Sequence, residues 1–143
     1  MIEQGLLDKF KTALRKEGLK VTPQRVAVLR EVLNSNEHRL SEDIYIAIKG
    51  NEVNVSRATV YRTLDILVQS GFARKMNLGD GGAKYENKIN SPHHDHLICN
   101  KCDDIIEFVN DDIERIQDEI AQKFQFKLQK HIHQLFGICK KCQ

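Results

Sequence analysis

The 143-residue chain has no long apolar run, little net charge, no internal repeat and no low-complexity tract. Its apolar stretches, such as Val26 to Leu29, fall far short of the roughly 18 residues that a membrane span requires. The start, MIEQGLLDKF, carries acids where a signal peptide needs a basic end and an apolar core. These two absences lead us to expect a cytoplasmic protein with no membrane partner. There is no HExxH and no nucleophile motif beside a base, so neither a metallohydrolase nor any other enzyme is expected. The absence of self-similarity at periods of roughly 20 to 50 residues excludes solenoids and propellers. The length suits one ordinary domain or two small ones and excludes a large multi-site enzyme. What is present, 41% hydrophobic and 29% charged residues, is the composition of a globular chain.

The net charge of +2 is the sum of two unlike parts. Residues 1–84 hold 14 Lys and Arg against 10 Asp and Glu, whereas residues 85–143 hold 8 against 10. The acidic part also carries all four Cys and five of the six His. That partition suggests polyanion contact in front and cation chemistry behind.

In the basic part, Leu6, Leu7, Phe10 and Leu14 recur at helical spacing up to Gly18. Thr22 and Pro23 form an N-cap with proline at the first helical position, and Val26, Val28, Leu29, Val32 and Leu33 supply an apolar face. Ser41, followed by Glu42 and Asp43, opens a short third helix with Ile44, Ala47 and Ile48 inward and Gly50 at its end. Ser56 caps a fourth, RATVYRTLDILVQSG, with Val60, Leu64, Leu67 and Val68 on its core side. At about 100° per residue Arg62 lies about 170° from that side, so its side chain leaves the domain along with Ala58, Asp65 and Gln69. Two short strands around a Gly-rich turn at Gly79 to Gly82 follow. Three helices, an amphipathic fourth and a hairpin make a winged-helix pattern.

From Ser91 the pattern changes. His94 to Cys99 and Ile105 to Val109 read as strands, Asp111 to Phe124 as a helix with acids at its start, and Phe126 to Phe136 as a further strand. This α+β unit is small enough to need a metal, a partner chain, or both.

Cys99-Asn-Lys-Cys102 and Cys139-Lys-Lys-Cys142 are two CxxC pairs separated by 36 residues. Two thiolates three positions apart turn in to one tetrahedral ion, and two such knuckles close an S4 site of the kind Zn²⁺ prefers. The rivals are disulfides, disfavoured in a reducing compartment, and redox CxxC motifs, for which no flanking βαβ pattern exists. A closed tetrathiolate has no open position, so the zinc is expected to clamp the second unit and not to catalyse. Just upstream, His93-His94-Asp95-His96 sets four metal-capable side chains in a row. In an extended chain His94 and His96 point to one face and His93 and Asp95 to the other, so one strand can serve two sites. The competing account is a solvated polar loop. His38, Glu86, Glu107, Glu114, His131 and His133 are further ligand candidates, each an ordinary surface residue when taken singly.

ATVYRTL (Ala58 to Leu64), HHDHLIC (His93 to Cys99), IIEF (Ile105 to Phe108) and the two CxxC pairs together resemble the ferric uptake regulator family of bacterial metal-responsive repressors. The resemblance runs from GLKVTPQR (Gly18 to Arg25) to Cys142. It implies a winged-helix DNA-binding domain over residues 1–85, a hinge over 86–92 and an α+β dimerisation domain over 93–143. It implies structural zinc on Cys99, Cys102, Cys139 and Cys142, and a regulatory site on His38, Glu86, His94, His96 and Glu107. A second site falls on His93, Asp95, Glu114 and His131, while His133 matches no ligand position and is left as a surface or interface histidine. The regulatory ion implied is Fe²⁺, for which Mn²⁺, Co²⁺ or Zn²⁺ substitutes in vitro, since a mixed His and carboxylate set does not choose among them.

The resemblance also implies a homodimer, with a tetramer left open, on an AT-rich palindrome of double-stranded DNA. The helix after Ser56 enters the major groove with Tyr61 and Arg62 foremost, Arg57 and Thr59 near the backbone and Lys20 near the minor groove. Peroxide-sensing relatives tend to carry Asp at the positions of Glu86 and Glu107 and Asn at that of Arg62, and zinc sensors usually add a thiolate for which this chain has no spare cysteine. Both departures favour iron, with a peroxide-sensing or a manganese-, nickel- or zinc-sensing member of the same family left as the alternative. A metal-storage protein is the remaining rival, and specific DNA binding separates the two.

Overall fold

The structure is a computed structural model that describes residues 1–89 and 91–143; Asn90, within the expected hinge, lies outside them. Contacts divide the chain into two compact units, Met1–Asn77 with Gly81–Pro92, and Leu78–Asp80 with His93–Gln143. Among the described residues no helix is long and apolar enough to cross a membrane.

The first unit runs α1 (Gln4–Lys16), α2 (Pro23–Leu33), β1 (Arg39–Leu40), α3 (Ser41–Gly50), α4 (Arg57–Gln69), β2 (Ala73–Asn77) and β3 (Ala83–Asn87). Its boundaries follow local chemistry. Gly18 takes φ +68° after α1, where a side chain would be strained. The Thr22 hydroxyl accepts from the Arg25 N–H at 3.3 Å to cap α2, and the Ser56 hydroxyl accepts from the Thr59 N–H at 3.1 Å to cap α4. At α3 the Asp43 carboxylate accepts from the Leu40 N–H, and Glu42 and Asp43 sit at the positive end of the helix dipole. Phe10, Leu14, Val28, Leu29, Ile44, Ile48, Val60, Leu64, Leu67 and Phe72 are buried together, with the Phe10 and Phe72 rings edge to face at 6.1 Å.

Two details differ from expectation. The buried side of α4 includes Thr63 and Ile66, while Val68 is only half-buried. The reason is that α1 packs on α4, so the helix is covered on more than one stripe. The hairpin also gains a third strand, β1, giving the antiparallel order β1-β3-β2. Two residues of β1 carry no periodicity to read.

The second unit contains β4 (Asp95–Cys99), β5 (Ile105–Phe108), α5 (Asp111–Lys123), β6 (Gln134–Gly137) and a 3₁₀ turn (Lys140–Cys142). The sheet order is β5-β4-β6, with β4 antiparallel to β5 and parallel to β6. Of the expected strand from Phe126 to Phe136 only Gln134–Gly137 forms, because the residues before it have no ladder partner among the described residues. Glu86 and Asn87 close β3, so regular structure runs into the segment expected as a hinge.

This unit buries little. Ile98 and Cys99 are enclosed in β4, but α5 buries none of its residues, and Ile120, Phe124, Phe126 and Ile132 are more than half exposed. So much uncovered apolar surface in about 54 residues is more than a soluble monomer ordinarily carries.

Candidate metal centres and nucleic-acid face

The four cysteines come together within the second unit. Cys99 ends β4 opposite Gly137 in the parallel register, which delivers Cys139 two residues later to the same end of the sheet. The first knuckle turns through Asp103 at φ 60°, a conformation that Asp tolerates, with the Asp103 N–H donating to the Cys99 carbonyl at 3.0 Å. In the second, the Cys142 N–H donates to the Cys139 carbonyl at 3.0 Å. All four sulfurs lie within 4.8 Å of one another, and those of Cys102 and Cys139 are 3.7 Å apart. Four thiolates at about 2.3 Å around a tetrahedral ion sit about 3.8 Å from one another, so the cage has the right size.

The backbone N–H groups of Cys139 and Cys102, with that of Lys101, hold the Cys99 thiol down at about 6. The neighbouring thiols of Cys139 and Cys102 push Cys142 up to about 12. Cys102 is raised too: the Asp104 N–H works the other way, but burial and the thiols of Cys99 and Cys139 outweigh it. Cys99 is thus the thiol most ready to ionise, and a cation in the cage would favour the thiolate form of Cys102 and Cys142.

This makes a pH prediction. A thiol held at about 6 is deprotonated at pH 7 and releases nothing on zinc binding there, but it must lose a proton below that value. Zinc affinity therefore falls with acidification, and below pH 6 the protonation of Cys99 adds one further factor of about ten per pH unit to that fall. Chelator competition between pH 5 and 8 reads the slope, and one that stays constant contradicts the thiolate at Cys99.

The second cluster also lies within this unit. Asn110 caps α5 by accepting from the Asp112 and Ile113 N–H groups, which sets Glu114 in the first turn. His93 Nε2 lies 3.4 Å from Asp95 Oδ1 and 3.3 Å from Glu114 Oε1, and His131 Nε2 lies 3.5 and 3.3 Å from the same two oxygens. Nitrogen and oxygen ligands at 2.0 to 2.2 Å around a tetrahedral ion would stand about 3.3 to 3.6 Å apart. Asp95 is 1% exposed, and neither of its oxygens has a hydrogen-bond partner among the described residues. Such a carboxylate is costly unless a cation meets it. His133 is no free surface histidine: it stands against Phe108, with Nδ1 3.8 Å from Asp95 Oδ2.

The remaining candidates fall into two groups, one in each unit. In the second, the His94 and His96 rings are 4.7 Å apart on the face opposite His93 and Asp95, as alternation along a strand requires. Glu107 pairs with His96 across β4 and β5, and its Oε1 lies 3.3 Å from His94 Nε2. In the first, His38 precedes β1, which is tied to α2 by the Arg39 guanidinium on the Glu31 carboxylate and carbonyl. His38 Nε2 is 2.9 Å from Oε2 of Glu86, which is 3% exposed. Arg74 donates to the other oxygen of Glu86 at 2.9 Å. Sequence reasoning missed Arg74; the register of the hairpin, which pairs Arg74 with Glu86 directly, is the signal that finds it.

On α4, Arg57, Ala58, Tyr61, Arg62, Asp65 and Gln69 are exposed as expected. Thr59 is half-buried, and its hydroxyl accepts from that of Ser56 at 3.0 Å. Lys20 is exposed, and its carbonyl accepts from the Arg25 guanidinium. Arg57 stands apart, because its guanidinium forks onto Glu42 at 2.7 to 3.2 Å and lies 4.3 Å over the Tyr45 ring. Glu42 is held below the usual carboxylate range by that guanidinium.

Residues 16–136 match the family model of the ferric uptake regulator family. The chain is 48% identical over 139 residues to the ferric uptake regulation protein of Campylobacter upsaliensis, covering 96% of this chain and 88% of that one. Its fold is similar to that of the Helicobacter pylori ferric uptake regulator, whose structure reveals three functional metal binding sites, with a TM-score of 0.85 and 35% identity over 98% of this chain and 93% of that one. It is also similar, at a TM-score of 0.56 and 26% identity over 97% of this chain and 93% of that one, to a zinc uptake regulator complexed with zinc and DNA.

Proposed function

This chain belongs to the ferric uptake regulator family, and we propose that it is a dimeric, Fe²⁺-responsive repressor that binds operator DNA through its first unit. It is a metal-responsive transcription regulator; the metal, the operator and the switch are the proposal. The observation that carries it is the pair of half-sites. His38 and Glu86 belong to the unit with the winged helix, and His94, His96 and Glu107 to the other. By the resemblance, all five serve one ion. A divalent cation supplies the charge that lets both carboxylates and three imidazoles converge, so occupancy restrains the segment through residue 92 that joins the units.

The other two centres have separate work. The cysteine tetrad holds structural Zn²⁺ and fastens the ends of the second unit. The cluster of His93, Asp95, Glu114 and His131 takes a further divalent ion within that unit. The exposed apolar side chains of α5 and of the residues after it form the homodimer interface, since burying each large one stabilises by about 1.5 to 3 kcal/mol. In the dimer the two copies of α4 present Tyr61 and Arg62 to successive major grooves of an AT-rich palindrome, with Lys20 at the minor groove. Thr59 and Arg57 stay near the phosphates, Arg57 sharing its charge with Glu42. The small net charge is no obstacle, because a two-fold site counts each basic patch twice. A DNA-binding role of this kind has a counterpart in the zinc uptake regulator complexed with zinc and DNA.

The test is an anaerobic titration of zinc-loaded protein with Fe²⁺ or Mn²⁺, following binding to a fluorescent AT-rich palindrome and ending with a peroxide pulse. Operator binding is expected only with the added metal and should survive brief peroxide. Rapid loss after peroxide in the Fe²⁺ form would make the protein a peroxide sensor, and no binding with either metal would return the choice to the other metal sensors and to storage.

A further inference from the structure

The Glu86 carboxylate is shared before any metal arrives. Its Oε2 faces His38 Nε2 at 2.9 Å and its Oε1 accepts from Arg74 Nη1 at 2.9 Å. Arg74 and Glu86 are direct cross-strand neighbours in the β2–β3 ladder, so the pairing is built into the hairpin. Glu86 is 3% exposed and Arg74 27%, which places the ion pair where water screens it incompletely.

We propose that Arg74 is the affinity-setting residue of the regulatory site, holding down its attraction for a divalent cation by occupying one oxygen and part of the charge of Glu86. The inference rests on the reading that Glu86 belongs to that site. Without metal, the guanidinium compensates a buried carboxylate that would otherwise destabilise the wing, so the ligand is kept in place. With metal, the same guanidinium repels the incoming cation and leaves Glu86 a single oxygen to offer. Two opposed effects follow from removing it, lost positioning and lost repulsion. Repulsion dominates, because Glu86 is already held by its register on β3 and by the packing that buries it. Arg74 thereby sets the threshold of the sensor to a higher metal concentration than the ligands alone would choose.

The experiment is calorimetric titration of the zinc-loaded full-length protein with Mn²⁺, alongside thermal melts, for the parent, Arg74→Gln, Arg74→Lys and Glu86→Ala. The isotherm that Glu86→Ala removes identifies the regulatory site. Arg74→Gln should tighten that isotherm about tenfold, equal to about 1.4 kcal/mol, while lowering the metal-free melting temperature. Arg74→Lys, which keeps the charge, should stay within about threefold of the parent. Unchanged or weaker Mn²⁺ binding in a folded Arg74→Gln protein overturns the proposal alone. If Glu86→Ala leaves every Mn²⁺ isotherm intact, the assignment of Glu86 to the site has failed and this inference falls with it.

Discussion

Replacing Cys99 by Ser should cost the protein the proposed structural zinc and the proposed dimer together. Cys99 is the most enclosed of the four thiols, receives N–H groups from Cys139 and Lys101, and ends the central strand of the second sheet. A structural zinc contributes about 10 to 16 kcal/mol in small zinc-binding peptides, as much as the whole stability of a typical domain. The second unit has little in reserve, since α5 buries no side chain in the single chain and β6 is held to β4 at the end where the thiols meet. The first unit has its own core around Phe10, Leu29, Leu64 and Phe72 and should stay folded. Metal analysis, sedimentation velocity and circular dichroism would therefore show a zinc-free monomer that retains the helical signal of α1 to α4. A zinc-free but stable dimer would remove the metal from its structural role.

The second large effect is expected from His96→Ala. His96 is 4% exposed, lies opposite Glu107 in the β4–β5 register and shares a face with the His94 ring. Its backbone N–H donates to the His133 carbonyl at 3.2 Å, a bond that the substitution preserves, so the sheet should survive. Losing an outer-shell partner of a ligand typically costs 10- to 100-fold in metal affinity, and losing a ligand itself should cost about 100-fold or more. The variant should remain a zinc-loaded dimer while metal-dependent operator binding disappears. Fluorescence anisotropy with Mn²⁺, read beside the dimer's sedimentation, distinguishes that result from simple misfolding; an unfolded His96→Ala protein would mean that His96 is a structural residue.

Much of this was legible because the residues involved are local. The two CxxC pairs announce a tetrathiolate wherever the chain folds back on itself, and the alternation of His93, Asp95, His94 and His96 needs only an extended backbone to become two faces. Helix caps at Thr22 and Ser56 and the Gly-rich turn between β2 and β3 were equally readable, since each is decided by a few neighbouring residues. The strand expected over Phe126 to Phe136 fared worse. Its apolar side chains alternate convincingly, yet a strand exists only where a ladder partner exists, and pattern alone does not supply one.

The residues themselves determined that this chain has a basic helical part, an acidic part rich in cysteine and histidine, and donors sufficient for several cations. Tertiary structure alone decided which donors stand together and what else stands with them: that Arg74 shares Glu86 with His38, that His133 stands against Asp95, and that Glu42 claims the Arg57 guanidinium. The physical reason is separation along the chain. Spacing and periodicity reach a few residues, whereas these contacts form between groups 12 to 48 residues apart, and only the register of a sheet or the packing of helices brings those within the few ångströms at which charge and hydrogen bonding matter.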